Sequence, residues 1–95
     1  MSVQSMEALE RANAVRFGRS RIKRRIFAGE LTASEVLTDT PPECATMSLM
    51  ELLTAQNRWG SVRAQKFCWR EHVWPNKALN RLTDRQRQRL ADLLS

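Results

Sequence analysis

The sequence predicts an all-α protein, and three observations carry that expectation. Val, Ile and Thr never form an alternating run of strand length. Apolar residues instead recur at three- and four-residue spacing. Three helix starts also carry a hydroxyl residue with Glu or Gln three positions on, the pattern in which the two side chains satisfy end N–H groups reciprocally. About five helices are expected, divided into a basic N-terminal helix over residues 1–29 and a compact domain over 30–95.

The first helix covers about residues 5–27. Ala8, Ala12, Val15, Arg19, Ile22 and Ile26 share one face at a hundred degrees per residue. Arg19 interrupts that stripe, and Gly18 costs roughly 1 kcal/mol relative to Ala. A frayed or mobile first half is therefore expected. Gly29 supplies a stop. Thr32 with Glu35 opens a short helix through Leu37, and the adjacent prolines of "TDTPPECAT" make the next segment a loop. Ser48 with Glu51 opens a helix holding Leu49, Leu52 and Leu53. After Gly60 a further helix runs to about His72, and Pro75 bars continuation beyond Trp74. Thr83 with Gln86 opens the last helix, whose Leu90, Leu93 and Leu94 are expected to pack inward behind the core anchors Leu79 and Leu82. Trp59, Trp69 and Trp74 are expected to form the core beneath one turn.

Charge is distributed unevenly. The 95 residues carry 16 Lys and Arg against 10 Asp and Glu, for a net +6. Residues 1–27 hold seven basic and two acidic groups, 28–57 hold none and five, and 58–95 hold nine and three. Two basic ends bracket an acidic middle, a balance that favours a polyanionic partner. No apolar run approaches a membrane span and the N-terminus lacks a signal-peptide core, so no membrane association and a cytoplasmic location are expected. Cys44 and Cys68 read as reduced thiols. With His72 the single histidine, no metal site and no cofactor are expected. The carboxylates form no convergent pair, and no Ser–His–Asp or Cys–His arrangement stands out. The sequence reads as a protein that is not an enzyme.

Its chemistry lies in three cationic clusters. In "NRWGSVRAQKF" Gly60 is expected to make a tight backbone turn and Ser61 to cap the helix that follows, leaving N–H groups that attract phosphate. Arg63, Lys66 and Arg70 form one solvent-facing row on that helix, with Val62, Ala64, Cys68, Trp69 and Val73 on the core side. In "RSRIKRR" Arg21, Lys23, Arg24 and Arg25 point away from the Ile22–Ile26 stripe, while Phe17 falls on the basic side and is expected to be buried under the C-terminal segment, with stacking on a partner as the alternative. In "NKALNRLTDRQRQR" Lys77 and Arg81 are expected to face the groove at Gly60, with Arg85 and Arg89 as a four-spaced pair.

The order of these elements resembles the integration host factor family of actinobacteria over about residues 9–95. The resemblance rests on Arg11 and Ala12, on "RIKRRIFAGELTASEVL", on "MSLMELL", and most firmly on "WGSVRAQKF" and "PNKALNRLTDRQRQRL". In the last two, Gly60, Val62, Arg63, Ala64 and Gln65, then Pro75, Leu79, Leu82, Asp84, Arg85, Gln86 and Arg87, fall where the family pattern has them. The family turn usually carries Pro or Gly before its main glycine and Lys after it; here stand Asn57, Arg58 and Ser61. The loop before the last helix is usually richer in Arg, where this chain has Ala78 and Asn80 but adds Arg81.

The resemblance implies a helix–two-turn–helix domain over 30–95, in a phage-borne or divergent member of the family. It implies a nucleoid-associated or recombination accessory protein, monomeric, that binds and bends double-stranded DNA largely irrespective of sequence. A phage integrase or other recombinase is the implied protein partner. The DNA-binding candidates are Arg21, Arg24, Arg25, Gly60, Ser61, Val62, Arg63, Lys66, Arg70, Lys77 and Arg81. RNA or ribosome binding through the same module is the alternative. A glycosylase bearing this module would need an N-terminal proline and a zinc finger, and neither is present in this sequence.

Overall fold

The computed structural model describes the backbone of residues 3–95 and side chains from residue 9 onward. Ala8, the first member of the expected stripe, lies outside the described side chains. The order is α1 (Val3–Phe27), α2 (Ala33–Thr38), α3 (Leu49–Thr54), α4 (Ser61–Arg70) and α5 (Asp84–Leu94), with 3-10 turns at Pro42–Cys44 and Leu79–Arg81. Among the described residues the only extended pairing is an isolated bridge between Ser48 and Ala78.

Local chemistry sets most boundaries. Thr32 and Thr83 each close a full capping box with Glu35 and Gln86. Ser48 closes half of one. Its hydroxyl accepts from the Glu51 N–H, but the Glu51 carboxylate turns to Lys23 of α1 at 2.8 Å. The N–H groups of Leu49 and Met50 find partners elsewhere, on the carbonyls of Lys77 and Pro75 at 2.9 and 2.8 Å. Gly29 ends α1 in the left-handed region, at φ 80, with the Glu30 N–H reaching back to the Arg25 carbonyl. α4 stops at Arg70, short of the expected His72, because His72 itself takes φ 58. The N–H groups of His72 and Val73 then satisfy the carbonyls of Trp69 and Cys68, and Val73 turns into the core.

The core is built from α2, α3, α5 and the loops between them, with Leu37, Met47, Leu49, Leu52, Leu53, Leu79 and Leu90 fully enclosed. Among the described side chains of α1, only Ile22 and Ile26 join it. Ala12 and Val15, further along the same face, are exposed. Length explains this. A helix of 25 residues runs about 37 Å. α2 and α3 have six residues each, about 9 Å, and cannot cover it. Phe17 stays 66% exposed for the same reason, rather than buried under the C-terminal segment, because α5 packs against α2 instead. Leu93 is likewise exposed rather than inward, and Leu94 is half-buried.

Gly18 does not break α1, which runs through it unbroken. Its role is close approach: a Cβ there would lie 2.8 Å from Glu43 Cγ. Arg19, the polar member of the stripe, uses that proximity. Its Nε donates to the Glu43 carbonyl at 2.7 Å and its guanidinium also reaches the Thr46 hydroxyl.

Two further ties close the domain. Residues 75–80 lie along 45–50, where the Leu79 and Asn80 N–H groups donate to the Met47 and Ala45 carbonyls, both at 2.9 Å. Arg87 of α5 then donates to the Leu37 carbonyl at 2.8 Å, the Thr40 hydroxyl at 2.5 Å and the Leu79 carbonyl at 2.7 Å. Removing it strands acceptors that are partly shielded from water. Arg87→Met is expected to lower stability by about 2 kcal/mol, read as a fall in the urea midpoint with an unchanged slope.

Candidate nucleic-acid interface

The link between α3 and α4 consists of two consecutive turns. The Gln56 N–H donates to the Leu53 carbonyl, and the Trp59 N–H to the Gln56 carbonyl, each at 3.2 Å. α3 and α4 are thus joined through two turns, but the pivot is not the expected one. Arg58 takes the left-handed conformation, at φ 70, while Gly60 is extended at φ −80 and ψ 173. Nothing lies within 4 Å of a Cβ built on Gly60, so neither backbone nor packing demands a glycine there. Gly60 is the N-cap and Ser61 the first helical residue, not the cap. No side chain bonds the helix start. The first N–H groups of α4 are thus left to solvent or a ligand.

Arg63 is held at this end by stacking. Its guanidinium sits 4.3 Å from the Trp59 ring centroid, and Trp59 meets Phe67 edge-on at 5.5 Å. Trp59 is half-buried against the core, as an anchor should be. Trp69 and Trp74 are not core. They are 61% and 76% exposed, and Val62 is 63% exposed. α4 lies on the surface of the fold, so its buried stripe is narrow and takes only Ala64 and Cys68. Val62, Lys66 and Trp69, spaced four and three apart, consequently share the outward face.

Arg63, Lys66 and Arg70 are all exposed and line one open groove of about 730 Å³ beside Trp59, Phe67 and Leu93. Glu71, the acid at the end of this row, is engaged by Arg89 at 2.5 Å with its carboxylate largely buried. Arg89 is thereby committed, leaving Arg85 as the exposed member of that pair without an acid within ion-pair distance among the described residues.

Other candidates lie elsewhere. Lys77 is half-buried with its Nζ 3.3 Å from Gln86 Oε1, and Arg81 is exposed, but neither lines the groove at Gly60. The reason is the bonding of 75–80 to the start of α3, the end of that helix opposite the turns. Arg21, Arg24 and Arg25 are exposed on α1. Arg21 and Arg25 border a cleft that also holds Glu35, Asp39 and Glu43, and Arg25 Nε is 3.9 Å from Glu30 Oε2. Lys23 faces Glu51 instead. Cys44 and Cys68 are buried, and burial pushes both thiols up, so they sit as neutral packed groups.

The chain has relatives among known proteins. It is 35% identical over 91 residues to the integration host factor of Mycolicibacterium smegmatis, across 94% of this chain and 87% of that protein. The chain belongs to the integration host factor family. Identity to the Mycobacterium tuberculosis integration host factor is 33% over the same length and coverage. A solved structure of sIHF bound to an 8 bp palindromic DNA shares the fold, with TM-score 0.82 and 23% identity over 90% of this chain and 99% of that one. No family model matches the sequence. The all-α expectation and the family resemblance are both confirmed.

The turn geometry gives a test of its own. Arg58→Gly relieves a left-handed arginine and is expected to raise stability by about 0.5–1 kcal/mol, while Arg58→Val lowers it. Gly60→Val, whose backbone is already in the extended region, is expected to cost no more than about 1 kcal/mol, through the poorer N-cap alone. Thermal melts of the three variants check the order.

Proposed function

We propose that this family member binds double-stranded DNA through its phosphates, largely irrespective of sequence, and holds it bent, without catalysing a reaction. One observation carries the reading. Arg63, Lys66 and Arg70 stand in an exposed row on a helix whose start has no side-chain cap, and the neighbouring acid Glu71 is already neutralised by Arg89. Cations in a row beside free N–H groups suit phosphate better than base edges. The name of the mycobacterial relatives and the DNA held by the solved neighbour support it.

The proposed contacts are the Gly60, Ser61 and Val62 backbone, the Arg63, Lys66 and Arg70 row, Lys77 and Arg81 at a separate place on the domain, and Arg21, Arg24 and Arg25 on α1. A second contact surface is what lets binding repay the energy of bending. The corresponding cellular role is a monomeric, cytoplasmic, nucleoid-associated protein or a recombination accessory factor for a phage integrase or related recombinase. No described helix is long and apolar enough to cross a membrane.

If about five phosphates are neutralised, the log–log slope of affinity against salt is expected near −4 to −5 for every duplex of equal length. Arg63→Ala should weaken all duplexes alike and flatten that slope by about one phosphate while leaving the melting temperature nearly unchanged. A sequence preference that survives high salt, or structured RNA competing as well as duplex, would replace this reading.

The α1 contact is tested by replacing Arg21, Arg24 and Arg25 together with Gln. Binding is expected to weaken and bending to fall more than proportionally. Because Arg21 and Arg25 border acidic groups, Arg24→Gln alone should account for a disproportionate share of the loss. Unchanged bending at saturating protein removes α1 from the interface.

A further inference from the structure

The outward face of α4 carries more than charge. Val62 and Trp69 are each more than 60% exposed on that face, with Lys66 between them and Arg63 and Arg70 alongside. Trp69 and Trp74 flank a shallow hollow of about 400 Å³ floored by Cys68 and Val73. Two large indoles left to solvent on a small domain mark a contact surface.

Charge decides what covers it. A second copy laid face to face would oppose three cations to three, a like-charge contact that carries a heavy penalty. The surface requires an anionic partner that also offers flat apolar area, and the uncapped start of the same helix supplies a phosphate seat continuous with it. Along α4, Trp69 lies about 12 Å from Ser61, so a strand seated at the helix start would leave the indole over the adjoining groove.

We infer that Trp69 is a DNA-contacting residue that stacks on the bases of an opened step, so that α4 itself kinks the duplex. This rests on the DNA reading above and adds to it a source for the bend. Apolar side chains pressed into a base step unstack it and kink the helix axis. Stacking on an aromatic ring compensates the exposed base whatever its identity, which keeps the contact independent of sequence. Lys66 and Arg70, beside the indole, hold the phosphates that flank the step. Trp74 closes the far side of the hollow and limits water access to the stack.

The experiment compares the full chain with Trp69→Ala and Trp69→Phe on a duplex labelled at both ends. End-to-end energy transfer at saturating protein, affinity across a salt series, melting temperature and intrinsic fluorescence are read together. Trp69→Ala is expected to lose most of the bend and about ten-fold in affinity, the order of one base–aromatic stack. Its salt slope should stay as in the wild type, because no charge is removed. Trp69→Phe should keep most of the bend but lose the duplex-induced quenching of indole emission. The melting temperature should hold in both, since the side chain is exposed. If Trp69→Ala binds and bends as the wild type does while Arg63→Ala still weakens binding, the inference falls and the phosphate reading stands. A change in oligomeric state on Trp69→Ala, with bending intact, also overturns it, by showing that a second copy covers the face. Absence of DNA binding by the wild type overturns both.

Discussion

Leu37 and Thr40 lie about forty residues before Leu79 in the chain, and the guanidinium of Arg87 bonds to all three. The carbonyl of Leu37 is one of the orphan acceptors at the end of α2, a helix too short to be stable alone. Satisfying it from α5 fixes those two helices, whose contact is further closed by the Ser34 hydroxyl on the Ala91 carbonyl. Reaching Leu79 from the same group anchors the segment that bonds to the start of α3. Through α3 it fixes the two turns and the direction of α4. A small domain with two six-residue helices at its centre has little apolar area to spare, so a few well-placed polar ties decide its geometry.

The bracketing of an acidic middle by two basic ends acquires a physical meaning in the fold. Glu35 serves a helix start, Glu51 draws in Lys23, and the backbone of Glu43 receives Arg19. The acidic segment thus docks α1 and borders Arg21 and Arg25. α4 is different. Its start is uncapped, its row of cations is exposed, and the acid beside it is occupied by Arg89. Net positive charge becomes usable where the fold has not already spent it on itself.

Much of this architecture was legible in the sequence because it depends on short-range chemistry. The Thr32–Glu35 and Thr83–Gln86 boxes and the Gly29 stop are local motifs, and each formed as read. The Arg63, Lys66 and Arg70 row was legible for the same reason, since helical spacing alone puts those residues on one side. Leu79 and Leu82 read correctly as anchors. The position of the turn did not. A glycine signals conformational freedom, but Gly60 is ordinary extended backbone and the strained residue is Arg58, whose side chain gives no such signal. His72 ended α4 in the same unannounced way.

The helical class, most helix starts, the two-ended charge and the family are readable from the chain alone, because propensity, capping and charge act within a few residues of one another. Which faces are covered follows from packing. Periodicity shows that Val15, Val62 and Trp69 lie on apolar faces or beside them, but whether a face is buried depends on what length of chain remains to lie against it. Six-residue helices cannot cover a 25-residue α1, and a surface helix buries only Ala64 and Cys68. So Phe17, expected under the C-terminal segment, and Trp69 and Trp74, expected beneath the turn they adjoin, stand in solvent. Arg87, read only as part of a pattern, proves to be the group on which three segments converge, since a carbonyl's need for a partner appears only once the helix that owns it has been placed.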